Sequence, residues 1–219
     1  MDELSRLILL GALAVARIVP VFVVMPAFGG RLLPAPLRVA IGLAFAALVF
    51  PFLDRATPPL SPGPLLVAVL LAKEVVVGTA LGFLAAMPLW AAEAAGRLAD
   101  VARGAAQGEL LVPQTGTLTS PLGDFALQLA VVLFFAIDGH LIFLRSLAAS
   151  YEALPLTGFP TAAAATGMTG LVVGAATQLL LATIGLAAPV LAAMLLADLA
   201  LGLVNRVAPQ VQVYFLGLP

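Results

Sequence analysis

The 219-residue chain is 63% hydrophobic and only 10% charged, with a mean hydropathy of +1.16, whereas a soluble domain is roughly 45–50% apolar and about 25% charged. Ten Lys and Arg against eleven Asp and Glu leave a net charge of −1, which argues against a nucleic-acid footprint or an acidic tail. With no Cys and a single His, His140, the sequence lacks disulfides, thiolate zinc sites, Cys nucleophiles and any histidine metal triad, and it reads as a membrane-type protein.

The N-terminus, MDELSRLILLGALAVARIVP, has two acids, no basic n-region and Arg17 after a short apolar run, so no cleaved signal peptide is expected. Leu7 to Phe28 is the first apolar segment and a poor span, because Pro20 and Pro26 should kink or end its helix. Val39 to Leu53 is free of charge but shorter than the roughly 20 residues a bilayer core requires. Thr57 to Pro64, TPPLSPGP, is a connector, and a helix can begin directly after it. Leu65 to Ala92 is apolar except for Lys73 and Glu74, which point about 100° apart on a helix, so each needs a partner elsewhere.

Trp90 to Gly123 is the one long polar interruption. Glu93, Arg97, Asp100 and Arg103 follow one another at helical spacing and should form an ion-pair stripe, after which Gly104, Gly108, Pro113, Gly116, Pro121 and Gly123 discourage helix. Phe125 to Leu144 follows as an apolar segment with Asp138, His140 and Arg145 near its far end. Pro155 and Pro160 bracket a loop inside an uncharged run from Ala153 to Ala197. That run accommodates Gly167 to Ala188 and Val190 to Val204, either as a hairpin or as one helix kinked near Gly185 and Pro189, with Asp198 and Arg206 in the second half. Gly78/Gly82 and Gly170/Gly174 have the GxxxG spacing that lets helices approach closely in lipid.

Arg17, Lys73, Glu74, Asp138 and Asp198 would each cost roughly 2.5–3.5 kcal/mol at a bilayer centre, so they should face other helices of an assembly or a wet lumen, or else snorkel to the interface. Basic residues are spread over the connectors and favour neither orientation. The five serines have no nearby base, and Asp138 and His140 would diverge by about 200° on one helix, so no hydrolytic dyad is expected; His140 reads as a buried helix–helix hydrogen bond. The sequence contains no P-loop, no strand-linked GxGxxG and no HExxH, which places any energy source in another subunit and leaves no expected enzyme activity or cofactor.

The stretches RIVPVFVVMPAFGGRLLPAPLR (Arg17 to Arg38), KEVVVGTALGF (Lys73 to Phe83), LWAAEAAGRLADVARGA (Leu89 to Ala105), LFFAIDGHL (Leu133 to Leu141) and DLALGLVNRVAPQVQVYFLGLP (Asp198 to Pro219) resemble the FliR/SctT family of type III secretion export-gate proteins. WAAEAAG…D…RGA is closer to the injectisome branch, DGHL and the closing GLP to the flagellar one. The resemblance implies an all-α protein of kinked helices and hairpins, a multi-pass subunit of the bacterial inner membrane. With FliP/SctR- and FliQ/SctS-type partners, and alongside FlhB/SctU- and FlhA/SctV-type components, it would form a channel for unfolded protein substrates, much of it raised out of the bilayer.

The resemblance further implies an N-terminal helical half (1–103), a plug loop (104–123) and a C-terminal helical half (124–219). Plug residues are expected among Gly104, Gln107, Gly108, Glu109, Leu110, Leu111, Val112, Pro113, Gln114, Thr115 and Gly116. Intersubunit or buried polar positions are expected at Arg17, Lys73, Glu74, Glu93, Arg97, Asp100, Arg103, Asp138, His140, Asp198 and Arg206. Family members continue past this region with a further hydrophobic segment, so the hairpin contacting FliQ/SctS-type subunits is expected to be lost or supplied elsewhere. The competing reading is a small-solute or ion transporter coupled through Asp138, Asp198 and the Lys73/Glu74 pair.

Overall fold

Leu10, Leu13, Ala14, Arg17, Ile18, Val21 and Phe22 recur at intervals of three and four, so a helix running from Glu3 to Val24 (α1) buries them all on one stripe. Pro20 is carried inside α1; the helix ends before Pro26, which opens a single 3₁₀ turn, Pro26–Phe28. The computed structural model describes residues 3–28, 33–56, 63–103 and 120–207, without the side chains of 54–56, 162–165 and 168. Among these residues the chain is all-α and contains no strand.

α2 spans Ala35–Ala56, α3 Pro64–Ala102, α4 Pro121–Ala136, α5 Gly139–Ala153 and α6 Ala162–Val207. One of these corrects the sequence reading: α2 starts four residues before Val39 because Pro36 sits in its first turn, where a missing N–H costs nothing, and the stretch Ala35–Leu53 then reaches 19 residues. Of the two alternatives open for Gly167 to Val204, the single long helix holds: α6 carries both segments without interruption, with Pro189 inside it. As expected, α3 begins at the end of the Pro-rich connector, and a short non-helical link around Pro155 and Pro160 precedes α6.

Four helices, α1, α2, α3 and α6, are long and apolar enough to cross a membrane; the bent pair α4 and α5 would make a fifth span. At 1.5 Å per residue, α3 with 39 residues and α6 with 46 are about 58 and 69 Å long, roughly twice a 30 Å hydrocarbon core. Length alone therefore lets parts of both helices tilt strongly or stand clear of the bilayer.

The chain separates into two compact units, Met1–Met87 with Val131–Ala176 and Pro88–Ala130 with Thr177–Pro219. In the first, a Cβ on Gly78 would collide with the backbone of Arg17, and one on Gly82 would lie 2.9 Å from the Val21 Cα, so the two glycines let α3 press against α1. Such contact matters in lipid, where apolar burial itself yields little because the tails are as apolar as leucine. A Cβ on Gly42 of α2 would meet Val19 at 3.2 Å, and Phe22 packs on Phe28 and Phe45 with ring centres 4.5 and 5.2 Å away. The second GxxxG makes no such contact among the described residues, none of which lies within 4 Å of a Cβ on Gly170 or Gly174. In the second unit α6 buries Ala187 and Thr183 but exposes Leu180, Leu181, Ile184, Leu195, Leu196, Leu199 and Leu203.

Candidate functional site: two buried polar clusters

The first cluster lies within the first unit and joins three stretches far apart in sequence. Arg17, in the middle of the apolar stripe of α1, is fully buried, as is Glu74 of α3. Its Nε donates to Glu74 Oε2. Its Nη1 donates to the backbone oxygen of Ser150 at 3.0 Å and to Ser150 Oγ at 3.2 Å, and Nη2 donates to the Leu154 oxygen at 2.8 Å. The guanidinium lies over the Tyr151 ring, 4.2 Å from its centre, and the Tyr151 hydroxyl donates to the Ala14 oxygen at 3.4 Å.

Ser150 and Leu154 stand at the C-terminus of α5, where the helix dipole is negative; the Ser150 oxygen also accepts from the Leu154 N–H at 3.0 Å, and Arg17 adds a cation from another helix to both carbonyls. Lys73 does the same for the link that follows. Its Nζ donates to the backbone oxygens of Pro155, Leu156 and Gly158 at 3.0, 3.0 and 2.8 Å, and it lies 2.7 Å from Glu74 Oε1 in an ion pair without hydrogen-bond alignment. Two cations thus share one carboxylate, and the excess positive charge rests on five backbone oxygens. Lys73 and Glu74 do touch, contrary to the angular argument from sequence, because the long ammonium arm reaches round the helix.

The second cluster lies within the second unit, at the two edges of residues 104–119. Asp100, near the end of α3 and almost fully buried, accepts from Arg103 Nη2, from Ser120 Oγ at 2.7 Å and from the Leu122 N–H at 2.9 Å. Ser120 is itself the N-cap of α4: its Oγ accepts from the Gly123 N–H at 3.2 Å, and its backbone oxygen accepts from the Asp124 N–H at 2.8 Å. Asp100 thus caps a second helix across the loop. The backbones can approach this closely because Gly96 faces the Leu122 oxygen and the Gly123 Cα, where a Cβ would collide, and Gly123 faces Arg97 Cγ and Glu93 O. Residues 103 and 120 are therefore clasped together at the mouth of the intervening segment.

The expected four-residue stripe resolves into two pairs, Arg97 to Glu93 at 2.5 Å and Arg103 to Asp100, with Asp100 engaged mainly across the loop. Pro121 and Gly123, read from sequence as loop, open α4 instead, since Pro is suited to the first helical position. The plug residues Gly104, Gln107, Gly108, Glu109, Leu110, Leu111, Val112, Pro113, Gln114, Thr115 and Gly116 all lie outside the described residues.

Asp138 and His140 do not share a helix. The chain breaks between α4 and α5 with a 74° bend, and Asp138 takes φ 58°, a left-handed conformation, without a side-chain cap bond. Among the described residues His140 makes no helix–helix hydrogen bond: its Nδ1 is buried with no partner among them, and its ring lies against Phe135 at 5.1 Å. Asp138, Asp198 and Arg206 are exposed, and their side chains make no hydrogen bond or ion pair among the described residues. Sequence reasoning missed Ser120, Ser150, Tyr151 and the backbone oxygens of 154–158. Ser120–Pro121 carried a readable helix-start signal; the others carried none. Among the described residues no group of His, Asp and Glu could hold a metal.

Long apolar helices with their charges neutralised at helix ends define a multi-span helical membrane protein with no assembled catalytic centre among the described residues. Residues 8–219 match the family described as bacterial export proteins, family 1, so the chain belongs to the FliR/SctT family of type III export proteins. It is 33% identical to the Yop proteins translocation protein T of Yersinia pestis over 219 residues, all of this chain and 83% of that protein. It is 29% identical to the flagellar biosynthetic protein FliR of Bacillus subtilis over 204 residues, 93% of this chain and 78% of that protein. The surface presentation of antigens protein SpaR of Salmonella typhimurium is 29% identical over 216 residues, 99% of this chain and 80% of that protein. Relatives thus come from both the flagellar and the injectisome branch.

Proposed function

We propose that this chain is a core subunit of a bacterial type III protein export apparatus in the inner membrane, where it joins FliP/SctR- and FliQ/SctS-type subunits to gate the passage of unfolded protein substrates. The observation that carries this reading is the family match along residues 8–219, together with 33% identity to a translocation protein over the full chain. On this reading residues 1–103 and 124–219 form two helical halves, and 104–123 includes the plug loop. The Asp100 clasp supports it physically: a closure element needs fixed stems, and Asp100, Ser120, Gly96 and Gly123 supply them. FlhB/SctU- and FlhA/SctV-type components would be neighbours, and the chain would carry no chemistry of its own.

The transporter reading has less support. Lys73 and Glu74 are occupied by fixed carbonyls and by Arg17, and Asp138 and Asp198 are exposed rather than gathered in a cavity. Expressing the tagged chain with its genomic neighbours and extracting it in mild detergent tests the proposal. Several copies of two other small helical membrane proteins per copy of this chain support it, and trimming 104–116 in that complex should raise ion permeability. A chain that purifies folded and alone would sink the proposal.

A further inference from the structure

In the first unit, α2 and the end of α5 enclose a groove of about 570 Å³ whose walls include Leu48 and Phe52 on one side and Ala148, Tyr151 and Leu156 on the other. Leu48 is 65% exposed and Phe52 71% exposed, so the groove is open along the α2 side. Among the described side chains the one charged wall residue is Glu152, which is exposed and whose carboxylate makes no hydrogen bond or ion pair among them. Glu152 stands in the last turn of α5, where the helix dipole disfavours an anion. Arg17 and Lys73 are engaged elsewhere, Arg17 with Glu74, Ser150 and Leu154, and Lys73 with three backbone oxygens.

The geometry points to a phospholipid site: one acyl chain in the groove and a cationic headgroup, the ammonium of phosphatidylethanolamine, on the Glu152 carboxylate. Size favours a chain-like ligand. A helix of 10–12 Å diameter fills roughly 500 Å³ per turn, so the groove would admit little more than one turn. At roughly 30 Å³ per methylene, taken as equal to the liquid share of a water, a sixteen-carbon chain needs about 480 Å³. Position agrees as well. The apolar stretch of α2 ends at Leu53, which puts Phe52 and Glu152 together at the polar end of a span, with the groove continuing toward Leu48. A carboxylate at that level attracts an ammonium and repels the anionic headgroup of phosphatidylglycerol. The inference needs only a membrane-embedded chain, not the export-gate reading.

The test is native mass spectrometry of the full chain, with whatever subunits accompany it, after reconstitution into vesicles of equal parts phosphatidylethanolamine and phosphatidylglycerol and extraction in mild detergent. Phosphatidylethanolamine should be retained about tenfold over phosphatidylglycerol, and Glu152→Gln should reduce that preference to about twofold or less. Ala148→Phe, which fills the groove, should remove retention of both lipids while the helical circular dichroism stays unchanged. Equal retention of the two lipids by the parent, no retention, or a preference untouched by Glu152→Gln would overturn the assignment. So would a photo-crosslinker at position 52 that labels a protein subunit instead of lipid. Lipid retention by a chain that purifies alone would uphold this site while removing the export-gate reading.

Discussion

Glu74→Gln is the substitution that most directly probes how this chain tolerates charge inside its core. The side chain keeps its shape, but the Arg17–Glu74–Lys73 cluster goes from a net charge of +1 to +2 in a place where Arg17 and Glu74 are fully buried and Lys73 nearly so. Arg17 Nε loses its anionic acceptor, and the Gln amide can offer a single oxygen while its NH₂ must face one of the two cations. Five backbone oxygens, from Ser150, Leu154, Pro155, Leu156 and Gly158, and the Ser150 hydroxyl then carry most of the load of the two cations. Removing one member of a buried ion pair costs about 3–5 kcal/mol, a fall of roughly 10²–10⁴-fold in the folded to unfolded ratio. Denaturant titration of the purified chain in micelles reads this directly. Adding Lys73→Met returns the cluster to +1, so the double variant should be less destabilised than the sum of the two singles by about 1–2 kcal/mol. A Glu74→Gln chain within about 1 kcal/mol of the parent, or a double cycle additive within about 0.5 kcal/mol, would refute the charge argument.

Gly78→Leu should prevent α3 from packing on α1 and cost several times more than Gly170→Leu, whose site is open; thermal unfolding in detergent compares the two. Asp100→Ala removes the cap that α3 provides to α4 and should cost about 1–2 kcal/mol, with faster protease cleavage or amide exchange beside residues 103 and 120 but not in α1. At Asp138, φ 58° suits glycine, so Asp138→Gly should match or exceed the parent in unfolding temperature while Asp138→Val loses about 1–2 kcal/mol. Equal stability of the two Asp138 variants would mean that the left-handed turn is not a feature of the folded chain.

Much of the helical layout was legible because apolar runs and breakers are local signals. The helix start at Pro64, the helical course of the charged stretch Glu93 to Asp100 and the link at Pro155–Pro160 all emerged where the residues said they should. Proline misled at one place: Pro121, read as loop, starts α4, because the first helical position needs no N–H, while Pro189 is carried inside α6 as the one-helix alternative had it. The break at Asp138 was visible in principle, because Asp-Gly is a turn pair, but the surrounding apolar pattern outweighed it. The polar clusters were legible only as anomalies. Arg17 stood out as a charge on an apolar stripe, yet nothing local says that its partners lie 57 and more than 130 residues away.

The fate of the charges gives the structural argument its direction. Arg17, Lys73, Glu74 and Asp100 have nearly all their donors and acceptors satisfied within the chain, mostly by backbone groups at helix ends and in the link after α5. These four do not require a neighbouring subunit. Asp138, Arg145, Glu152, Asp198 and Arg206 are exposed, and their side chains have no hydrogen bond or ion pair among the described residues. Bare charge against lipid hydrocarbon costs roughly 2.5–3.5 kcal/mol per residue, so a helix as apolar as α6 can keep Asp198 only where water, headgroups or another protein meets it. The same helix leaves Gly170 and Gly174 open and most of its leucines uncovered. A chain that neutralises its core charges this thoroughly and leaves a long helix this bare has the physical character of one part of a larger assembly, as expected of an export-apparatus subunit.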